Sequence, residues 1–118
     1  ARRTWSSQFI SDYEYVVRRN CYCVMGGVAV RVVVQGDRVV SREIEGSGVS
    51  VPVSMAYLYP TIDGLFSVVQ EAIDSRADDI DTSYDSRYGF PTDIWIDYDR
   101  GVADEEEGYA LIRFRSLR

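Results

Sequence analysis

The chain has 118 residues, 46% of them hydrophobic and 27% charged, which is the size and balance of one globular domain spanning 1–118. Its net charge is −6. Residues 1–59 carry seven Arg against five acids and residues 60–118 six Arg against fourteen, a balance that repels nucleic acid and anionic lipid.

All 13 basic residues are Arg. The absence of His and Lys removes imidazole general bases, His-dependent nucleophiles, His metal ligands, Schiff bases and phosphate-loop lysines. Acid–base chemistry is left with carboxylates, Tyr and two thiols, and the expectation is a non-enzyme without cofactors. No apolar run approaches the ~20 residues of a membrane span. The chain opens on Ala1 rather than Met, as it would after removal of a leader or of a lipid anchor lying upstream.

Residues 2–9 predict a short helix with Trp5 and Phe9 on one face, an i, i+4 pair. From Tyr13 the period becomes two. Tyr13, Tyr15, Val17 and Arg19, continued by Cys21 and Cys23, share one face of a long first strand. Gly26-Gly27 turn the chain. Two β-branched runs, 28–35 and 38–45, flank Gly36-Asp37, which predicts a two-residue hairpin of type I′ or II′. Residues 46–60 contain Pro52, which a central strand would not tolerate, and predict an irregular crossing anchored by Met55, Tyr57 and Leu58. Thr61 caps a helix that ends near 74–76, with Ile62, Leu65, Phe66, Val69 and Ile73 forming its apolar stripe.

Alternation then returns at Ile80, Thr82 and Tyr84. A turn over 85–89 closes at Pro91, and Ile94, Ile96 and Tyr98 alternate with Trp95 on the opposite face. An acidic loop precedes a last strand over 109–117. The predicted class is α+β: an antiparallel sheet of five or six strands in the order α-βββ-α-βββ, with both helices on one face.

Three stretches bear on chemistry. Cys21 and Cys23 point the same way on a strand, and three readings fit them. A disulfide across i, i+2 needs a kinked strand and an oxidising compartment. Two buried thiols can pack as small apolar groups. A metal or thiol-redox site is the third, although two thiolates without His leave a zinc tetrahedron incomplete. The acidic segment offers Asp97, Asp99, Asp104 and Glu105. Its opening D-x-D-x-G resembles a calcium loop, but the Gly comes one position early for an EF-hand and the flanks are strands. A solvated hairpin loop and a weak Ca²⁺ site are its two readings. Finally, Tyr13, Tyr15, Tyr84 and Tyr98 lie on predicted strands. They fit either a half-buried sheet face or a surface for a sugar, a peptide or a partner protein. Paired carboxylates serve glycoside hydrolysis, but no Asp or Glu pair stands out.

Several of these features occur together in one order: Trp5, Tyr13 with Tyr15, Cys21 with Cys23, Gly36-Asp37, Thr61 to Phe66, Tyr84-Asp85, Gly89-Phe90-Pro91, Ile94 to Asp97, and Asp104-Glu105. In that order they resemble the bacterial domain-of-unknown-function family numbered sixty-one seventy-four over nearly the whole chain. The resemblance implies an exported or lipid-anchored protein of the cell envelope or the extracellular space, and with it a disulfide between Cys21 and Cys23. It implies no activity. Gly64 stands where the resemblance would place an acidic residue completing a capping box with Thr61.

The functional expectation is a non-enzymatic interaction module with an unknown protein or small-molecule partner. Its alternative is a metal-binding or thiol-redox module using Cys21/Cys23 or the acidic loop 97–107.

Overall fold

The computed structural model describes residues 2–21, 25–99, 101 and 106–117. Six strands form one antiparallel sheet: β1 (Tyr13–Arg19), β2 (Ala29–Gln35), β3 (Arg38–Ile44), β4 (Asp79–Tyr84), β5 (Pro91–Asp97) and β6 (Glu106–Ser116). Their spatial order is β3-β2-β1-β6-β5-β4. Two three-stranded meanders are therefore joined through the first and last strands of the chain. Short hairpins hold each meander together. The central seam therefore pairs the two strands that lie farthest apart in the sequence.

The turn between β2 and β3 is the predicted hairpin. Gly36 and Asp37 have φ of 59° and 62°, the pair of positive values that a type I′ turn requires and that matches the twist of the flanking strands. Its far side is tied down by Asp12, whose Oδ1 accepts from Gly36 N at 2.8 Å. The turn after β4 is closed by Asp85, whose carboxylate accepts from the backbone N–H groups of Arg87 and Tyr88.

Helical structure is sparse. Among the described residues it comprises α1 (Arg2–Ser7), a six-residue 3-10 segment (Val53–Leu58) and α2 (Ile62–Asp74). This corrects the expected α+β class with two helices layered on one face: the chain is mainly a six-stranded antiparallel sheet with few, short helices. The physical reason lies in the helices themselves. The first has no acidic residue in its first turn and no basic one in its last, and it buries Trp5 alone. Six residues are far below the length at which helix propagation repays nucleation. Phe9, expected beside Trp5, leaves the helix with φ 53° and is 90% exposed.

Only α2 is long enough to present a stripe. It buries Ile62, Leu65, Phe66, Val69 and Ala72, and Ile73 turns out to solvent. It packs against β4 and β5, where Phe66 stacks on Tyr84 at 6.0 Å. The rest of the buried sheet face is closed by Trp5 and by the crossing segment, whose Val51 and Tyr59 are buried. Trp5 meets Tyr13, Phe90 and Phe114 edge-on at 5.3–6.4 Å, the arrangement that ring quadrupoles favour.

The α2 N-terminus explains Gly64. Thr61 Oγ1 accepts from Gly64 N at 3.1 Å. A Cβ on Gly64 would lie 2.5 Å from Pro60 Cβ, so the chain enters the helix too closely for a side chain there. A Gly→Ala change inside a helix ordinarily gains about 1 kcal/mol. Here Gly64→Ala is expected to lower stability instead, by about 1–3 kcal/mol as an overpacked site. Chemical denaturation decides the sign, and a stabilised variant would refute the close approach.

Candidate functional site

The two faces of the sheet have different chemistry. On the inner face, β1 sets Tyr13, Tyr15 and Val17 opposite Val34, Val32 and Val30 of β2, all of them buried. The crossing segment lies over this face, and its backbone groups there are buried or part-buried. Four side chains from the sheet satisfy them. Tyr109 Oη donates to Leu58 O at 3.1 Å and Arg42 Nε to Tyr59 O at 2.6 Å. Tyr15 Oη donates to Pro60 O, and Tyr13 Oη accepts from Ile62 N at 2.8 Å. The path into α2 is thus fixed by three phenols and one guanidinium.

Arg19 sits at the end of β1, 6% exposed, with its guanidinium 5.5 Å from the Tyr109 ring and 3.6 Å from Glu107. Beside this group the Tyr59 hydroxyl is buried without a hydrogen-bond partner among the described residues.

The outer face is exposed and charged. Val16 is buried between Arg31 of β2 and Arg113 of β6, its two cross-strand partners. Glu45 bridges the same two guanidiniums, at 2.7 Å and 3.1 Å, and Glu14 holds Arg115 at 2.8 Å. Glu14, Val16, Arg31, Arg113 and Arg115 line a groove of about 270 Å³. The hydrogen bond from Arg31 holds the Glu45 carboxyl below the usual glutamate range. Its lowered pKa means that its contribution is present above the ordinary value and is lost as pH falls through its own.

A bulge in β6 opposite Val16/Val17 leaves Ile112 half exposed beside Arg113. Farther along, Trp95 lies across Gly108, its cross-strand partner. A Cβ on Gly108 would meet Trp95 Cε3 and Ile94 O at 2.9 Å each, so the indole covers bare backbone where no side chain fits. Around it the face turns acidic, with Asp79, Asp81, Asp93 and Glu106 exposed.

The four tyrosines differ in exposure. Tyr13 and Tyr15 are 2% and 1% exposed, their hydroxyls committed to backbone. Tyr84 is partly exposed against Phe66. Tyr98 follows the end of β5 and is half-buried. The Cys pair is divided: β1 ends at Arg19, Cys21 lies in the bend beyond it, and Cys23 lies outside the described residues. Of the acidic set, Asp97 ends β5, with its Oδ1 buried and without a partner among the described residues. Asp99 Oδ1 accepts from Gly101 N at 2.8 Å in a local turn. Asp104 and Glu105 lie outside the described residues. Among the described residues no three His, Cys, Asp or Glu side chains come together as a metal site, and no helix is long and apolar enough to cross a membrane.

Reading along the sequence missed the outer-face network. Its signal was present in Glu14, Arg31, Arg113 and Arg115, all at outward positions of their strands, but the strand order that brings them together was not legible.

The tyrosine clamp carries a pH prediction. Burial pushes the hydroxyls of Tyr13, Tyr15, Tyr59, Tyr98 and Tyr109 above the ordinary tyrosine value of 10.0. A raised folded-state pKa leaves stability intact below the unfolded value and removes it as pH rises beyond. The melting temperature should hold through neutral pH and fall above about pH 10. In the ultraviolet titration the three clamp phenols, Tyr13, Tyr15 and Tyr109, should ionise with unfolding. Titration of all nine tyrosines about the ordinary value near 10 in a folded chain would contradict the clamp.

No curated protein and no solved structure matches the chain. A family model described as a family of unknown function (DUF6174) matches residues 1–116, and the chain therefore belongs to that family.

Proposed function

We propose that this is a non-enzymatic interaction domain that acts by docking a protein partner on the outer face of the sheet. The observation that carries this reading is the network of Arg31, Arg113 and Arg115 with Glu45 and Glu14. Side chains held in place by ion pairs lose little further freedom on binding, and a groove offering both charges suits a protein surface, which also carries both. On the same face Ile112, beside Arg113, and Trp95, farther along, add exposed apolar area. Turnover has less to work with. The chain has no His or Lys, and three of its phenols are spent on holding backbone.

Radical footprinting of the protein in its native setting, against the purified chain at high dilution, tests the reading. Trp95 and Ile112 should be protected in the first case and labelled in the second. Equal labelling would remove the docking face, and reproducible turnover in a hydrolase panel would remove the non-enzymatic assignment.

The same proposal places the protein outside the cytosol, in the cell envelope or secreted, with Cys21 and Cys23 joined. Supporting this is that no cysteine among the described residues is free; a bridge needs an oxidising compartment. The intact mass should be unchanged by alkylation without reductant and should rise by two adducts after reduction. Two adducts without reductant would return the pair to the thiol or metal readings.

A further inference from the structure

A groove of about 270 Å³ lies along β3, at one edge of the sheet. One wall is the strand itself, with Val39, Val40 and Arg42, and the other is the returning chain, with Val51, Val53 and Ala56. The chain already shows what this edge accepts. Ile44 N donates to Val49 O and Val51 N to Arg42 O, around a bridge between Glu43 and Ser50. Residues 49–51 thus add to β3 as a short antiparallel strand. Pro52, which has no N–H, ends that pairing, and Val53–Leu58 leave as the 3-10 segment. Nearer Arg38, among the described residues, no strand lies beyond β3, and its outward peptide groups have no neighbouring backbone to bond. The opposite edge, β4, carries exposed Asp79 and Asp81, the kind of charge that guards an edge. β3 presents apolar side chains instead. Val40, the extra residue of a bulge against β2, is 54% exposed, and Val53 on the other wall is 92% exposed. Among the described lining residues the one charge is a cation. Arg42 commits Nε to Tyr59 O, and among the described residues no carboxylate pairs with it or with Arg38.

We propose that this edge docks an extended peptide strand of a partner protein, with apolar side chains and one carboxylate turned into the groove. Three requirements converge on that occupant. Peptide groups along a strand edge are satisfied by another backbone in the β conformation, which supplies the affinity, while a groove beside the edge selects alternate side chains. Val40, Val53 and Ala56 call for apolar side chains there. Arg42 retains guanidinium N–H groups that a carboxylate can accept, and in an acidic chain its own acids leave it unpaired. The groove lies at the sheet edge, so the proposal is independent of the outer-face reading.

The test is a nitrogen–proton NMR titration of the labelled chain with the blocked peptide Thr-Val-Thr-Glu-Thr-Val-Thr, which sets Val, Glu and Val on one face of a strand. Saturable shifts of the Val40 and Arg42 amides are expected, with slowed hydrogen exchange at both. The same peptide with Gln in place of Glu should bind several-fold more weakly. A fully N-methylated copy, which keeps the side chains and has no backbone donors, should not bind. Val53→Asp alters a residue that the fold leaves in water, so the chain should melt as before. It should bind the peptide about tenfold more weakly, through a lost apolar contact and a carboxylate set against the peptide's own. No saturable shift at Val40 and Arg42, equal affinity for the Gln or the N-methylated peptide, or an affinity unmoved by Val53→Asp would each overturn the proposal. So would the same shifts on concentrating the chain without peptide, which would give the edge to a second copy.

Discussion

A chain segment laid across a sheet must find partners for its backbone or remain exposed, and this fold depends on how residues 58–62 solve that problem. A peptide group buried without a hydrogen bond costs on the order of 1–3 kcal/mol. Here Leu58, Tyr59, Pro60 and Ile62 each find a partner in a side chain rising from the sheet. The partners come from β1, β3 and β6, so the crossing is fixed only after both meanders have met. Pro60 shows how tightly. Its carbonyl is held by Tyr15, and its ring stands so close to residue 64 that glycine alone fits. The clamp therefore determines the first turn of α2, which in turn places Leu65 and Phe66 on the sheet.

The clamp also accounts for the difference between the two faces. Tyrosine supplies a large apolar body with one polar tip, so Tyr13, Tyr15 and Tyr109 can pave a dry interface and still serve backbone groups. Among the described residues the inner face holds no ion pair there beyond the Arg19 group. Charge is displaced to the outer face, where the register sets Arg31 and Arg113 on either side of Val16 and Arg115 opposite Glu14. The result is a sheet with one covered and one wet side, as antiparallel sheets permit. The wet side is organised by bridges of Glu45 and Glu14 to three arginines, with the Trp95 indole lying over Gly108.

Local chemistry was legible in the sequence to the extent that it was local. Positive φ at Gly36 and Asp37, the Thr61 cap and the alternation of Ile94 with Ile96 follow from side-chain sterics and hydrogen bonding within a few residues. What failed depended on distant partners. Tyr13 and Tyr15 carry the same alternation whether they face solvent or a crossing chain, and nothing nearby reveals that Pro60 and Ile62 will meet their hydroxyls. Trp5 and Phe9 have helical spacing, yet a six-residue helix ends before Phe9. The α+β class was inferred by giving that helix a layer's worth of area, when it buries one indole. Gly64 looked like a missing cap residue, because the Pro60 ring that forbids a side chain is visible only once the turn has closed.

A pocket beside Phe9 follows from the same geometry. Asp12 pins the hairpin turn from below, Tyr13 points at Ile62, and these two adjacent residues draw the β2–β3 turn and the α2 N-terminus toward the end of α1. Asp37 and Asp63 arrive there as consequences of a turn and a helix start, each with a structural reason of its own. Asp63 complements the helix dipole, and Asp37 occupies a left-handed turn position that Asp tolerates. Phe9 has no such reason. Glycine would adopt its φ without cost, and its ring contributes little to the core. Among the residues around the pocket it is the one whose identity the fold leaves unexplained.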